Sequence, residues 1–144
     1  MFSIIIYLWL LTILLIAAVL DIYTRKIPNQ IIFIGLIGVL SLQFYSDSFQ
    51  WPSFLIGLGL GLLLWRFRVV GGGDSKLIIL VSAVFPLNYL IQIYAFIALA
   101  GALQALWWMA FKKPSNLPYA VAILLGTTGF VWLQKKTSWW EVFF

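Results

Sequence analysis

The first twenty residues, Met1 to Leu20, hold no charged side chain. As a helix rising about 1.5 Å per residue they reach roughly 30 Å, the depth of a bilayer's hydrocarbon layer. The rest of the chain shares the bias: of 144 residues 64% are hydrophobic and 9% charged, against roughly 25% charged in soluble domains. So little polar surface cannot cover a water-soluble globule, and the expectation is an all-α membrane protein. A secretory signal carries its cations ahead of the apolar stretch, whereas Arg25 and Lys26 follow it. The first segment is therefore expected to persist in the mature protein, with its amino end outside and Asp21 at the cytoplasmic edge.

Further apolar runs follow at Gln30 to Tyr45 and Pro52 to Trp65, separated by the polar turn Ser46 to Gln50. Pro28 and Pro52 suit the first turn of a helix, where a missing N–H costs little. The run from Leu77 to Phe111 is too long for one crossing without strong tilt, and Pro86 disfavours helix at Phe85. It divides into a short fourth span, Ser75 to Val84, and a fifth, Leu87 to Phe111. Leu117 to Leu133 makes a sixth, flanked by the loop Lys112-Lys113-Pro114-Ser115-Asn116 and a tail, Gln134 to Phe144, rich in Trp and Lys. The prediction is one compact domain over residues 1–144, a bundle of six transmembrane helices whose fourth is short.

Cytoplasmic loops favour Lys and Arg. Six spans put Arg25, Lys26, Arg66, Arg68, Lys76, Lys112 and Lys113 inside, leaving Lys135 and Lys136 outside. A five-span arrangement scores the same, so only the length of the fourth run and Pro86 favour six. Trp51, Trp65, Trp107, Trp108, Trp139 and Trp140 fall at predicted span ends, as an interfacial belt requires; Trp9 does not.

Cysteine and histidine are both absent, which removes thiolate nucleophiles, Ser-His-Asp triads and the usual zinc and haem ligands. No metal or cofactor is expected. The net charge of +5 comes in short clusters between apolar blocks, not in a stripe that could track a phosphate backbone, so nucleic acid is not an expected partner. The chemistry left to the chain is that of carboxylates.

Four acids exist, Asp21, Asp47, Asp74 and Glu141. Asp21 and Asp74 share the predicted cytoplasmic face, and the hairpin between them carries the chain out and back, so the two can meet. Plain structural roles are open to both: Asp21 marks a helix end, and Asp74 caps a helix beginning at Ser75. Against these, Asp21 sits at a helix carboxyl end, where the dipole disfavours an anion. The three glycines before Asp74 are a poor choice for capping alone but allow close backbone approach. Two carboxyls in contact hold one proton between them and can hydrolyse an amide with water as the only reagent.

Two motifs resemble the prepilin peptidases, also called type IV leader peptidases, membrane aspartic proteases of the GxGD type. One is Asp21 followed after five residues by Ile27-Pro28-Asn29; the other is Gly71-Gly72-Gly73-Asp74 followed by Ser75-Lys76-Leu77. The resemblance implies that Asp21 and Asp74 form the catalytic pair. It also implies cleavage of the short leader of type IV pilin-like precursors after a glycine, at the cytoplasmic boundary of the plasma (inner) membrane. Larger members of the family carry a cysteine-bearing loop and methylate the new amino terminus. This chain has no cysteine, so methyl transfer is not expected, and it looks more like the minimal enzymes serving tight-adherence pili.

Around the pair, Gly71, Gly72 and Gly73 are candidates to lie against an extended substrate backbone. Lys76 is either a cation snorkelling to the interface or a group that biases the acids or meets an acidic substrate residue. Ile27, Pro28 and Asn29 are expected to set the turn after Asp21. The competing function is a small proton-coupled transporter, although such proteins place paired acids near the midplane and these fall at span ends.

Overall fold

A computed structural model describes residues 2–111 and 117–135. The loop Lys112 to Asn116 and the tail from Lys136, with Trp139, Trp140 and Glu141, lie outside the described residues. Within them the chain is helical, with no strand: α1 (Phe2–Thr24), α2 (Asn29–Tyr45), α3 (Trp51–Arg66), α4 (Gly72–Val84), α5 (Leu87–Ala110) and α6 (Tyr119–Lys135). The long run does divide at Phe85-Pro86, and Phe85 takes the extended conformation required before proline, φ −98° and ψ 143°.

Two helices are long and apolar enough to cross a membrane, Ile4–Thr24 and Leu87–Ala110, while α2, α3 and α6 are apolar but shorter. The 13-residue α4 is the innermost element: Leu77, Leu80, Val81 and Ala83 on it are completely buried.

Several expected boundaries shift: α1 continues to Thr24, four residues past Leu20, so that Asp21 lies within the helix, and the sixth helix is Tyr119–Lys135 in place of Leu117 to Leu133. Pro28 caps α2 from outside the helix instead of opening its first turn, and Pro52 alone takes the N1/N2 position, in α3. The fourth helix starts at Gly72, not at Ser75, because Gly71 in extended conformation already serves as its N-cap and its carbonyl accepts the Ser75 N–H at 3.0 Å. Three helices end on a left-handed residue that is not glycine: Arg25 after α1, Asp47 after α2 and Arg68 after α3. Behind Asp47 and Arg68 the chain closes both bonds of a Schellman motif, Ser48 to Gln43 with Asp47 to Phe44, and Val69 to Leu64 with Arg68 to Trp65.

Small residues bring the helices together. Gly57 of α3 faces the Ser82 side chain of α4 so closely that a methyl group would collide with it, and a Cβ at Gly61 would stand 2.9 Å from the Ser75 carbonyl oxygen. On the other side, a Cβ at Gly126 of α6 would lie 2.5 Å from the Ile97 Cα of α5. Such small-residue faces are what apolar helices use when lipid leaves no hydrophobic force between them. Helix α1 packs against α2, α4 and α6 and joins the two close pairs, α3 with α4 and α5 with α6. At the end remote from Asp21, buried polar groups find partners across helices: Gln43 donates to the Ala83 carbonyl at 2.7 Å, and the hydroxyls of Ser82 and Tyr94 are 2.6 Å apart. Since the helices alternate in direction, the carboxyl ends of α1, α3 and α5 and the amino ends of α2, α4 and α6 gather at one end of the bundle.

Candidate active site

That shared end holds both motifs. Asp21 lies in the last turn of α1 and is buried, at 8% exposure. Its Oδ2 accepts the backbone N–H of Ala120 at 3.2 Å. Ala120 is the second residue of α6, so this is one of the amide groups that a helix start leaves without an intrahelical partner. The α6 dipole thereby supplies the positive end that the carboxyl end of α1 denies Asp21, and the Arg25 charge acts on the carboxylate in the same sense. Burial is the strongest of the three influences and outweighs both, so the Asp21 carboxyl is held above its ordinary range.

Asp74 occupies the third position of α4. Its carboxyl accepts the backbone N–H of Gly71, half of a capping box closed within one turn. The expected N-cap role therefore belongs to Gly71, with Asp74 inside the helix. The other oxygen, Oδ1, is buried and has no hydrogen-bond partner among the described residues. Burial first, and the negative charge of Asp21 second, push the Asp74 carboxyl from 3.8 up to about 6, against the Gly71 N–H, which favours the anion. The two acids that share a face in the sequence reading are thus close enough in space for one to act on the protonation of the other.

The glycines divide their work. A Cβ at Gly73 would stand 3.0 Å from that of Ile27, and one at Gly71 would stand 3.0 Å from Asp74 Oδ2. Both give room to groups of this chain. Gly72 is the least crowded of the three, since a Cβ there would meet the Trp65 indole nitrogen at an ordinary 3.5 Å, and it borders a cavity of about 460 Å³ with Trp65, Arg66, Arg68 and Val70. None of the three has positive φ, so space rather than backbone freedom explains them. Lys76 is exposed and donates to Asn29 Oδ1 at 2.6 Å. With Ile27 on Gly73, that bond latches the Ile27-Pro28-Asn29 turn onto the start of α4.

Sequence reasoning missed the third wall. Gln104 of α5 donates to the Pro118 carbonyl at 3.1 Å, and the Tyr119 ring rests against Gly101, where a Cβ would lie 3.0 Å from its Cε2. Together these hold the start of α6 over the acids. An amide well inside an apolar helix and a proline at the start of the last run were the available signs. Among the described residues no group of His, Cys, Asp or Glu could hold a metal ion.

The fold and site together define an apolar helical bundle with two acids gathered at one end. The chain belongs to the type IV leader peptidase family, whose model matches residues 8–107. Over 126 residues it is 31% identical to a prepilin leader peptidase/N-methyltransferase of Bacillus subtilis (strain 168), covering 81% of this chain and 51% of that protein. The chain thus spans about half the length of the curated relative it matches. No solved structure matches it. The family match includes Asp21 and Asp74 and stops before α6.

Proposed function

We propose that the chain is an aspartic endopeptidase, embedded by six spans in the plasma (inner) membrane, that removes the leader of pilin-like precursors at the cytoplasmic boundary. The observation that carries this reading is the meeting of both acids at one end of the bundle, Asp21 on the Ala120 amide and Asp74 with a buried oxygen that has no hydrogen-bond partner among the described residues, where the charge of one acts on the other. Asp21, with a helix amide and Arg25 stabilising its anion, takes the proton of a water whose oxygen attacks the scissile carbonyl carbon. Both acids are raised by burial, Asp74 the further of the two, and Asp74 therefore holds the proton at rest and delivers it to the carbonyl oxygen. The neutral gem-diol collapses as its hydroxyl proton returns to Asp74 and the proton on Asp21 passes to the departing amine, which restores both acids. Gly72 is the place where an extended backbone can lie, and a glycine at the cleavage site helps unwind the precursor helix there.

Within this reading Asn29 and Lys76 are supports. Their mutual bond leaves Lys76 a latch of the loop, not a partner of the acids. The proposal covers peptide cleavage and not methyl transfer. Which precursor class is processed, tight-adherence pilins in the expectation above, is read from the precursor that is cut.

The test incubates membranes carrying the protein with a pilin precursor and sequences the new amino terminus. Wild type is expected to cut after a glycine, and Asp21→Asn and Asp74→Asn to leave the precursor whole. Processing by both variants at the wild-type rate would overturn the assignment. Proton-driven uptake that both substitutions abolish, with no cleavage by wild type, would establish the transporter reading instead.

A further inference from the structure

The start of α6 presents two groups to the acids. The N–H of Ala120 is bound to Asp21. One residue earlier, the half-buried Tyr119 lies close enough to Asp74 for that carboxylate's charge to act on its phenol. The Tyr119 hydroxyl makes no hydrogen bond to any described residue, although a tyrosine in an apolar bundle ordinarily satisfies its hydroxyl, as Tyr94 does with Ser82. Its ring is fixed by Gly101 below and by the Gln104 bond to Pro118 behind. A donor at the helix start that binds Asp21, packed on Gly101 and without a hydrogen-bond partner among the described residues, is placed to stabilise charge developing on a substrate oxygen.

We infer that Tyr119 is a third catalytic side chain, whose phenol donates a hydrogen bond to the scissile carbonyl oxygen as that oxygen becomes negative. This rests on the peptidase reading above. The phenol keeps its proton throughout. It holds the oxygen while the Asp74 proton crosses, and it releases the oxygen when the carbonyl re-forms. Gly101 is a positioning residue that acts through the ring.

The experiment measures kcat and KM for a precursor peptide with wild type, Tyr119→Phe, Gly101→Ala and the double variant, all in lipid nanodiscs. A second probe is the same peptide with a difluoromethylene ketone at the scissile bond, which hydrates to a gem-diol and imitates the attacked carbonyl. Loss of one oxyanion donor costs about 10²- to 10³-fold elsewhere. Because Asp74 delivers a proton to the same oxygen, the expected fall in kcat for Tyr119→Phe is about tenfold to a hundredfold, with KM within twofold. The ketone's inhibition constant should rise by the same factor, since the lost bond belongs to the transition state and not to the bound substrate.

Gly101→Ala should lower kcat as well and add little to Tyr119→Phe, because both act through one phenol. Wild-type kcat in Tyr119→Phe, with Asp21→Asn and Asp74→Asn inactive, overturns the role of Tyr119 and leaves the protease standing. Processing by both aspartate variants overturns the two together. A Tyr119→Phe defect that appears in KM, or that leaves the ketone's affinity unchanged, also overturns the inference. Should Tyr119→Phe fail to fold, Gly101→Ala alone decides, by the same match or mismatch between kcat and ketone affinity.

Discussion

The two acids reach the same end of the bundle by opposite routes. Asp74 is held by its own turn: the N–H that binds it belongs to Gly71, and the helix carrying it is the most deeply packed in the molecule. Asp21 is held by a group 99 residues away in the chain, at the start of a helix separated from α1 by four others in sequence. One acid is built locally and the other by assembly. A site divided in this way can keep one carboxyl fixed while the environment of the other depends on how tightly α5 and α6 pack.

The largest expected effect tests whether both halves are needed. Asp21→Asn and Asp74→Asn should each lower precursor cleavage by at least about 10³-fold, since neither remaining acid can be base and acid together. A variant losing less than tenfold would reduce the pair to a single working carboxyl.

Next come the contacts of the helices that hold each acid. Gly57→Ala drives a methyl into Ser82 of α4, the helix that carries Asp74, and Gly126→Ala drives one from α6 into the Ile97 backbone. Each should cost about 1–3 kcal/mol of stability, read by thermal unfolding in detergent. If assembly holds Asp21, only Gly126→Ala should also expose the Ala120 amide to hydrogen exchange. Equal exchange in both variants would erase the distinction drawn between the two sites.

A pH series sharpens the account of Asp74. Its carboxyl titrates at about 6 in the folded protein against 3.8 when unfolded. The folded state therefore binds this proton more tightly, and stability falls as pH rises through that window. Relative to Asp74→Asn, wild type should lose thermal stability from about pH 4 to about pH 6 and then run parallel to it. A difference independent of pH would mean that neither burial nor Asp21 weighs on the group.

The smallest effect concerns the latch between the motifs. Asn29→Ala removes the acceptor of the exposed Lys76 bond and should cost about 0.5–1.5 kcal/mol. Lys76→Met in the same background should add almost nothing, because the two share one interaction. Additive losses in that cycle would show that Lys76 has a second partner.

Much of this was open to reading without coordinates. Apolar runs, broken by Pro28, Pro52 and Pro86, give the helices and their order, because proline and hydrophobic patterning act within a few residues. The absence of Cys and His left carboxylates as the available chemistry, and alternation of helix direction was enough to put Asp21 and Asp74 at one end. The role of the glycines was half visible: close approach was expected, but of a substrate, whereas Gly73 makes its room for Ile27 and Gly71 for Asp74 itself. The start of α4 was misplaced by three residues, because an extended Gly71 can cap a helix as well as Asp74 can.

What lay beyond the sequence was everything that depends on one helix finding another. No local rule relates Ala120 to Asp21, Tyr119 to Asp74, or Lys76 to Asn29. Those pairings follow from which faces carry Gly57, Gly61, Gly101 and Gly126, and from how closely backbones can approach there. Residue chemistry and chain direction determined which groups could serve. Packing decided which of them meet, because a hydrogen bond forms only within about 3 Å, and across 99 residues only the folded bundle brings donor and acceptor that close.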